Sequence, residues 1–290
     1  MDTTALIKRV RKVEIKTRSL SSHIFSGEYH SAFKGRGMSF SEVRSYQYGD
    51  EVRDIDWNVT ARTGEPHIKV FEEERELTIM LLVDISPSVY FGTREVWKHE
   101  WMAEVSAVLG FSALQNNDKV GLILFSDQIE MYIPPKKGRQ HLLRIIRELL
   151  FYTPTGKKTD VNVPLEYLLN VIKKKCIAFV FSDFMSPSYE LTLKLAAKRH
   201  DIIGMHVYDP VESEFPAVGL VRLKDPETGK TILADSSDPQ VRLSFEENYA
   251  QRLNEFKELF KRAKSDTMSF AVDQSYIQEL HKFFKRRASA

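Results

Sequence analysis

A single cysteine, Cys176, stands among 290 residues. That excludes an internal disulfide. It suits a reducing compartment, or a cysteine used as a small apolar side chain. Long apolar runs are missing too: no stretch approaches the roughly 18–20 residues that span a bilayer. The first nine residues lack the apolar region of a signal peptide, so the expected location is cytoplasmic. Charge of one sign is also lacking. Lys and Arg number 42 against 40 Asp and Glu, a net +2, too small to imply nucleic-acid binding. The histidines show no H-E-x-x-H or similar zinc spacing. No G-x-S-x-G elbow appears, which argues against a serine hydrolase. Repeats and low-complexity tracts are absent, and the composition is that of an ordinary globular protein.

What the sequence does hold is a polar string after a buried run. Residues 77–83 are apolar on both faces and read as a fully buried strand. Asp84-Ile85-Ser86-Pro87-Ser88 follows. In an extended segment residues two apart point the same way, so Asp84, Ser86 and Ser88 can converge beyond the strand's end. One carboxylate and two hydroxyls are hard oxygen donors, suited to Mg²⁺ or to Mn²⁺ or Ca²⁺. A D-x-S-x-S string alone is weak, and Asp and Ser are also preferred helix N-caps. Two further pieces strengthen it. Thr159 sits in the polar loop Thr155-Gly156-Lys157-Lys158-Thr159-Asp160, and Asp183 follows a second buried run, 176–181. In open parallel sheets ligands bind outside the C-terminal ends of the strands, where the strand order reverses.

Residues 4–20 alternate apolar and basic positions and begin as an amphipathic helix, with its basic face in solvent or at a membrane surface. Residues 21–75 read as an irregular, β-rich extension. Strands are then expected over 120–125, 129–133, 176–181 and 202–208. They alternate with helices over 95–114, 140–150, 164–173 and 189–199, which implies right-handed crossovers and a mostly parallel sheet. Trp97 and Trp101, four apart on the first helix, are expected in the core. Segments 220–223 and 231–234 flank Asp225-Pro226-Glu227-Thr228-Gly229-Lys230 and read as a β-hairpin. A helix over 239–263, a strand over 268–272 and a helix over 275–287 complete the chain. The expected fold is therefore α/β and Rossmann-like, its mostly parallel sheet flanked by helices. An irregular β-rich N-terminal extension and a C-terminal hairpin plus helices are added to it. The expected divisions are 1–76, 77–210 and 211–290.

Asp84, Ser86, Ser88, Thr159 and Asp183 together resemble the metal-ion-dependent adhesion site of a von Willebrand factor type A domain. The resemblance implies that the serines ligate the metal directly. The threonine and Asp183 complete the shell, partly through water, and a partner's carboxylate takes the last position. Residues 35–76 carry a more specific likeness. Arg44-x-Tyr46, Tyr48-Gly49-Asp50, Arg53-Asp54-Ile55-Asp56-Trp57 and Ala61-Arg62 resemble the bacterial family called domain of unknown function 58. That family places such a segment ahead of a von Willebrand type A core. Gly121-Leu122-Ile123-Leu124-Phe125, Pro134-Pro135, Ser182-Asp183-Phe184 and Asp225-Pro226-Glu227-Thr228-Gly229 match it as well. Val89 replaces the family's usual Met, and Lys158 replaces a Gly before the loop threonine. Thr155 therefore stays open beside Thr159 as ligand, with Thr159 favoured because Asp160-Val161 follows it. The Arg-Asp-Trp cluster is expected to be a salt-bridge network, with Trp57 as apolar anchor. Arg53 and Arg62 would pair Asp50, Asp54 or Asp56.

These readings imply a non-enzymatic, metal-dependent protein-binding module. The family resemblance implies a companion, a MoxR-type AAA ATPase chaperone, with this protein as adaptor to a client that supplies a carboxylate. The competing reading is a metal-dependent phosphatase or other hydrolase using Asp84 and Asp183. Phosphotransferases of the haloacid-dehalogenase type need a second acid two residues after the nucleophile, and Ser86 stands there. A two-metal nuclease needs more clustered carboxylates. Membrane-surface contact through the two basic ends is compatible with the binding module. The basic run 282–287 equally complements the dipole of a helix C-terminus.

Overall fold

The computed structural model describes residues 39–288 apart from 73–75, 94–95, 226 and 228. The helix expected within 4–20 lies outside the described residues. In the extension, β1 (Ser39–Ser45) pairs antiparallel with β2 (His67–Glu72). A short helix the sequence did not announce, α1 (Trp57–Thr63), lies between them. Asp56 caps it, accepting from the backbone N–H of Asn58 and Val59 at 2.9 and 3.2 Å. Gly64, at φ +78°, ends it in the left-handed conformation.

The expected Arg-Asp-Trp network needs correction. Arg44, not Arg53 or Arg62, holds Asp50, through two bonds of 2.8 Å. Asp56 is spent on the cap and on Lys69, 3.7 Å away. Arg62 turns to the carbonyl of Asn58. Trp57, 67 % exposed, is not a buried anchor. The physical reason is local: the Asp56 cap starts a two-turn helix at Trp57, and that helix buries none of its residues.

The core sheet contains β3 (Thr78–Asp84), β4 (Lys119–Phe125), β5 (Ile129–Lys136), β6 (Ile177–Ser182), β7 (Asp201–Tyr208) and β10 (Asp266–Ala271). Their order is β10-β7-β6-β3-β4-β5. All neighbours are parallel except β5, which runs antiparallel at one edge. Between the strands come α2 (Lys98–Gln115), α3 (Arg139–Phe151), α4 (Asn162–Val171), α5 (Glu190–Arg199) and the single turn α6 (Pro210–Ser213). Strands β8 (Leu220–Lys224) and β9 (Thr231–Asp235) form the expected hairpin, followed by α7 (Pro239–Arg262) and, after β10, α8 (Tyr276–Ala288). Among the described residues no helix is long and apolar enough to cross a membrane.

The pleat sorts the core into two layers. Ile79, Leu81 and Val83 of β3 pack with Trp101, Val105 and Leu109 of α2, Ile145 and Leu149 of α3, and Leu280 and Phe284 of α8. Met80 and Leu82 face the other way, toward Leu165 and Leu168 of α4, Leu193 of α5, and Phe256 and Phe260 of α7. The two tryptophans part company. Trp101 is buried against Phe270 and Tyr276. Trp97 precedes the first turn of α2 and is 45 % exposed, contrary to expectation.

Gly204 on β7 lets α7 approach the sheet. A Cβ there would lie 2.7 Å from two ring carbons of Phe260, itself buried and unable to yield. Gly204→Ala should therefore cost about 1–3 kcal/mol of stability, read as a lowered thermal midpoint. An unchanged midpoint would mean that α7 is not held against β7.

Candidate metal centre

The chain leaves β3 toward β4 and later returns to β6 on the other side of β3. The crevice beyond the end of β3 is thus the switch point, the place where such sheets bind ligands. Asp84 is the last residue of β3, and Asp183 directly follows β6. Thr159 arrives from the loop between α3 and α4.

Ser86 and Ser88 meet by a different local route from the one expected. The chain does not continue extended; it enters a 3-10 turn at Pro87–Tyr90, with Ser86 just before it. The two hydroxyl oxygens still lie 3.1 Å apart. Ser86 makes no side-chain capping bond, so helix capping does not account for it. Asp84 accepts from the Ser86 N–H at 2.8 Å and from the Ser182 hydroxyl at 2.6 Å. Asp183 accepts from the Met185 N–H at 3.2 Å and is also hydrogen-bonded by Ser88. All five sequence-predicted residues are buried.

The two threonines separate cleanly. Thr155 is exposed and its hydroxyl is engaged with Glu130 and Gln128. Glu130 anchors this loop by accepting from the N–H of Gly156 at 2.7 Å and from the Ser126 hydroxyl at 2.8 Å. A Cβ at Gly156 would fall 2.0 Å from that Ser126 hydroxyl, so the loop can sit this close only with glycine. Thr159 is 3 % exposed, and its hydroxyl donates to Glu227 at 2.9 Å. Thr159 is thus the buried threonine of this loop, and it borders one groove with Phe184 and Met185, which follow Asp183.

Electrostatics around the crevice are one-sided. Burial, followed by the charge of Asp183, pushes Asp84 up to about 7. No lysine, arginine or histidine pairs with Asp84 among the described residues. Burial would raise Asp183 as well, but the Lys98 ammonium and the Ser88 hydroxyl hold it below its ordinary value. Lys98 is fully buried, 3.1 Å from Asp183 and 2.7 Å from Glu212. Burial opposes its charge, and the two carboxylates more than offset that. Glu212 stays above its ordinary value despite Lys98, because it is desolvated and shares the ammonium with Asp183. Glu227 is raised too, by burial first and with help from Asp183. Two of the four carboxylates, Asp183 and Glu212, share the Lys98 ammonium.

Among the described residues no group of three or more His, Cys, Asp or Glu could hold a metal ion. A cation here depends on hydroxyls. The donor set fits one: the Ser86 and Ser88 hydroxyls adjoin the carboxylates of Asp84 and Asp183 at a buried place where negative charge is in excess, with the buried Thr159 in the loop beside them.

Sequence reasoning missed four residues. Ser182, which fixes Asp84, stood in plain view beside Asp183. Glu227 lay inside the Asp225–Gly229 string, read there as a turn. Lys98 and Glu212 carry no local signal, since only the packing of α2 against the end of β7 buries them.

The model of the family described as "Protein of unknown function DUF58" matches residues 42–255. The chain belongs to this family. Among its relatives, Uncharacterized protein Rv1480 of Mycobacterium tuberculosis is 28 % identical over 290 residues, 99 % of this chain and 91 % of its own. An aerotolerance-related membrane protein from Bacteroides fragilis superposes at a TM-score of 0.50 with 14 % identity, covering 73 % of this chain and 98 % of that one. That likeness is one of fold, and it is the α/β fold expected from the sequence. Proximal thread matrix protein 1 of the mussel byssus, whose structure has a zinc-occupied MIDAS motif, aligns at 0.41 over 73 % of this chain and 48 % of its own. That alignment is too loose to bear on the site.

Proposed function

We propose that the protein is a non-enzymatic, divalent-cation-dependent protein-binding module, acting in the cytoplasm as an adaptor for a MoxR-type AAA ATPase. The observation that supports the reading is the buried cluster of Asp84, Ser86, Ser88 and Asp183 at the switch-point crevice, with the buried Thr159 in a neighbouring loop. Its two serine hydroxyls lie 3.1 Å apart and Ser86 is free of capping duty. Mg²⁺, Mn²⁺ or Ca²⁺ suits these oxygens. Ser86, Ser88 and Thr159 would hold it by their hydroxyls, with Asp84 and Asp183 acting directly or through water. Once bound, the ion supplies a concentrated positive charge that accepts a partner's carboxylate. Beside the crevice lies a groove of about 700 Å³ bordered by Lys158, Arg252 and Arg262. Glu227 and Glu255 line it too, and Arg262 pairs with Glu190, which leaves Lys158 and Arg252 to meet an acidic segment of a client or of the ATPase. The ATPase itself is inferred from the family resemblance.

Chemistry argues against catalysis. Cys176 lies 3.3 Å from Nδ1 of His200, but both are buried and burial pushes the thiol up to about 12. Such a thiol is no nucleophile at neutral pH. Ser86 occupies the place of a phosphotransferase's second acid.

The test is a calorimetric titration with a MoxR-type ATPase in Mg²⁺ and in EDTA. Ser86→Ala and Thr159→Ala should each weaken binding by about tenfold or more, roughly 1.4 kcal/mol, with circular dichroism unchanged. Phosphate esters, nucleotides and nucleic acid should stay intact in the presence of Mg²⁺ or Mn²⁺. Equal affinity in EDTA and in Ser86→Ala would put the interface elsewhere. Phosphate-ester turnover that Asp84→Asn abolishes would favour a metal-dependent phosphatase instead.

A further inference from the structure

The hairpin turn between β8 and β9 brings one more carboxylate to the crevice. Glu227 accepts the Thr159 hydroxyl at 2.9 Å, and Asp183 acts on it electrostatically. The turn is closed by its own bonds: the Glu227 N–H donates to the Asp225 side chain, and the Gly229 N–H to the Asp225 carbonyl, both at 2.9 Å. Apolar packing accounts for one face only, where Val221, Leu223 and Ala234 are half-buried. Leu220, Ile232 and Leu233 of the hairpin are each more than 60 % exposed. The turn itself adds a polar contact at Thr159. It meets the one loop threonine whose hydroxyl belongs to the proposed cation shell.

We propose that Glu227 is an in-chain cap of the cation site, bonded to its Thr159 hydroxyl and standing where a partner's carboxylate would otherwise bind. The inference rests on the cation-binding reading given above and adds its regulation. A hydroxyl bound to a divalent cation becomes a stronger donor, so its bond to a carboxylate tightens on metal binding. Ser86 and Thr159 are closed to solvent in this arrangement, at 0 % and 3 % exposure. An incoming carboxylate that engages Thr159 would displace Glu227 from its hydroxyl. The basic groove that Glu227 itself borders gives the displaced side chain a place to go: Arg252 pairs with no carboxylate among the described residues. The resting protein is self-capped, and a partner engages it by exchange of one carboxylate for another.

The alternative is that Glu227 merely tethers the turn. Glu227→Gln separates the two, because the amide oxygen still accepts from Thr159 while the charge is lost. The experiment is a calorimetric titration of the full chain with Mg²⁺ alone, for wild type, Glu227→Gln and Ser86→Ala. It is paired with amide hydrogen exchange across 225–230. Glu227→Gln should bind Mg²⁺ about 10–100-fold more weakly, the usual scale for loss of a group supporting a metal. Mg²⁺ should slow exchange in the turn in wild type and not in Glu227→Gln. Equal or tighter Mg²⁺ binding by Glu227→Gln, or a turn indifferent to Mg²⁺ in wild type, overturns the proposal. Mg²⁺ binding by Ser86→Ala at the wild-type level would instead refute the cation site itself.

Discussion

Lys98→Met should lose about 3–5 kcal/mol of stability, the scale for removing one partner of a buried ion pair. Urea denaturation near neutral pH reads this as a lowered midpoint. Among the described residues Lys98 is the ammonium that pairs with Asp183 and Glu212. Methionine matches its length and leaves the carboxylates uncompensated in a desolvated place. The pH dependence gives the mechanism away. In wild type Asp183 titrates below its ordinary value, so its contribution is present at neutral pH and lost in acid. Without Lys98 the folded carboxylates would hold protons more tightly than the unfolded chain does. The variant should then gain stability as pH falls from about 7 to 5. It should also bind Mg²⁺ more tightly, since one competing positive charge is gone. A variant as stable as wild type at pH 7 would show that Lys98 is not paired as described.

The second large effect links cation and proton. Asp84 keeps its proton up to about 7 in the fold, against an ordinary 3.8. Between those values the folded state binds more protons than the unfolded one, so this group lowers stability as pH rises through the window. About three units correspond to roughly 4 kcal/mol at most. A divalent cation takes over the proton's task of neutralising Asp84. Mg²⁺ should therefore raise the thermal midpoint little at pH 5 and clearly at pH 8. At a hundredfold excess over Kd the gain is about 2.7 kcal/mol, on the order of 5 °C or more. Asp84→Asn should abolish the difference between the two pH values. A Mg²⁺ effect independent of pH would remove Asp84 from the site.

Much of the fold was legible because hydrophobic periodicity decides it. The buried runs 77–83 and 176–181 became β3 and β6 with shifts of one residue, and every expected core helix appeared within a few residues. Asp84 and Asp183 were placed correctly for the same reason: strand ends in a parallel sheet define the crevice. What failed depended on tertiary context. Trp57 and Trp97 looked like core aromatics by type alone, yet each stands at the start of a helix with its side chain toward solvent. The choice between Thr155 and Thr159 rested on a missing glycine and one following dipeptide. Glu130, twenty-five residues upstream, bonds the Thr155 hydroxyl, and no signal near Thr155 announces it. Lys98 drew no reading at all, because nothing local reveals that Asp183 and Glu212 enclose it.

The most direct test of the account is to locate the ion. Crystals grown with Mn²⁺ should give an anomalous difference peak within coordination distance, roughly 2.0–2.6 Å, of the Ser86 and Ser88 hydroxyls. Thr159, Asp84 and Asp183 should stand around it, directly or through one water. Mn²⁺ bound elsewhere on the protein, with this crevice empty at saturating metal, would contradict the reading of the site and of the module built on it.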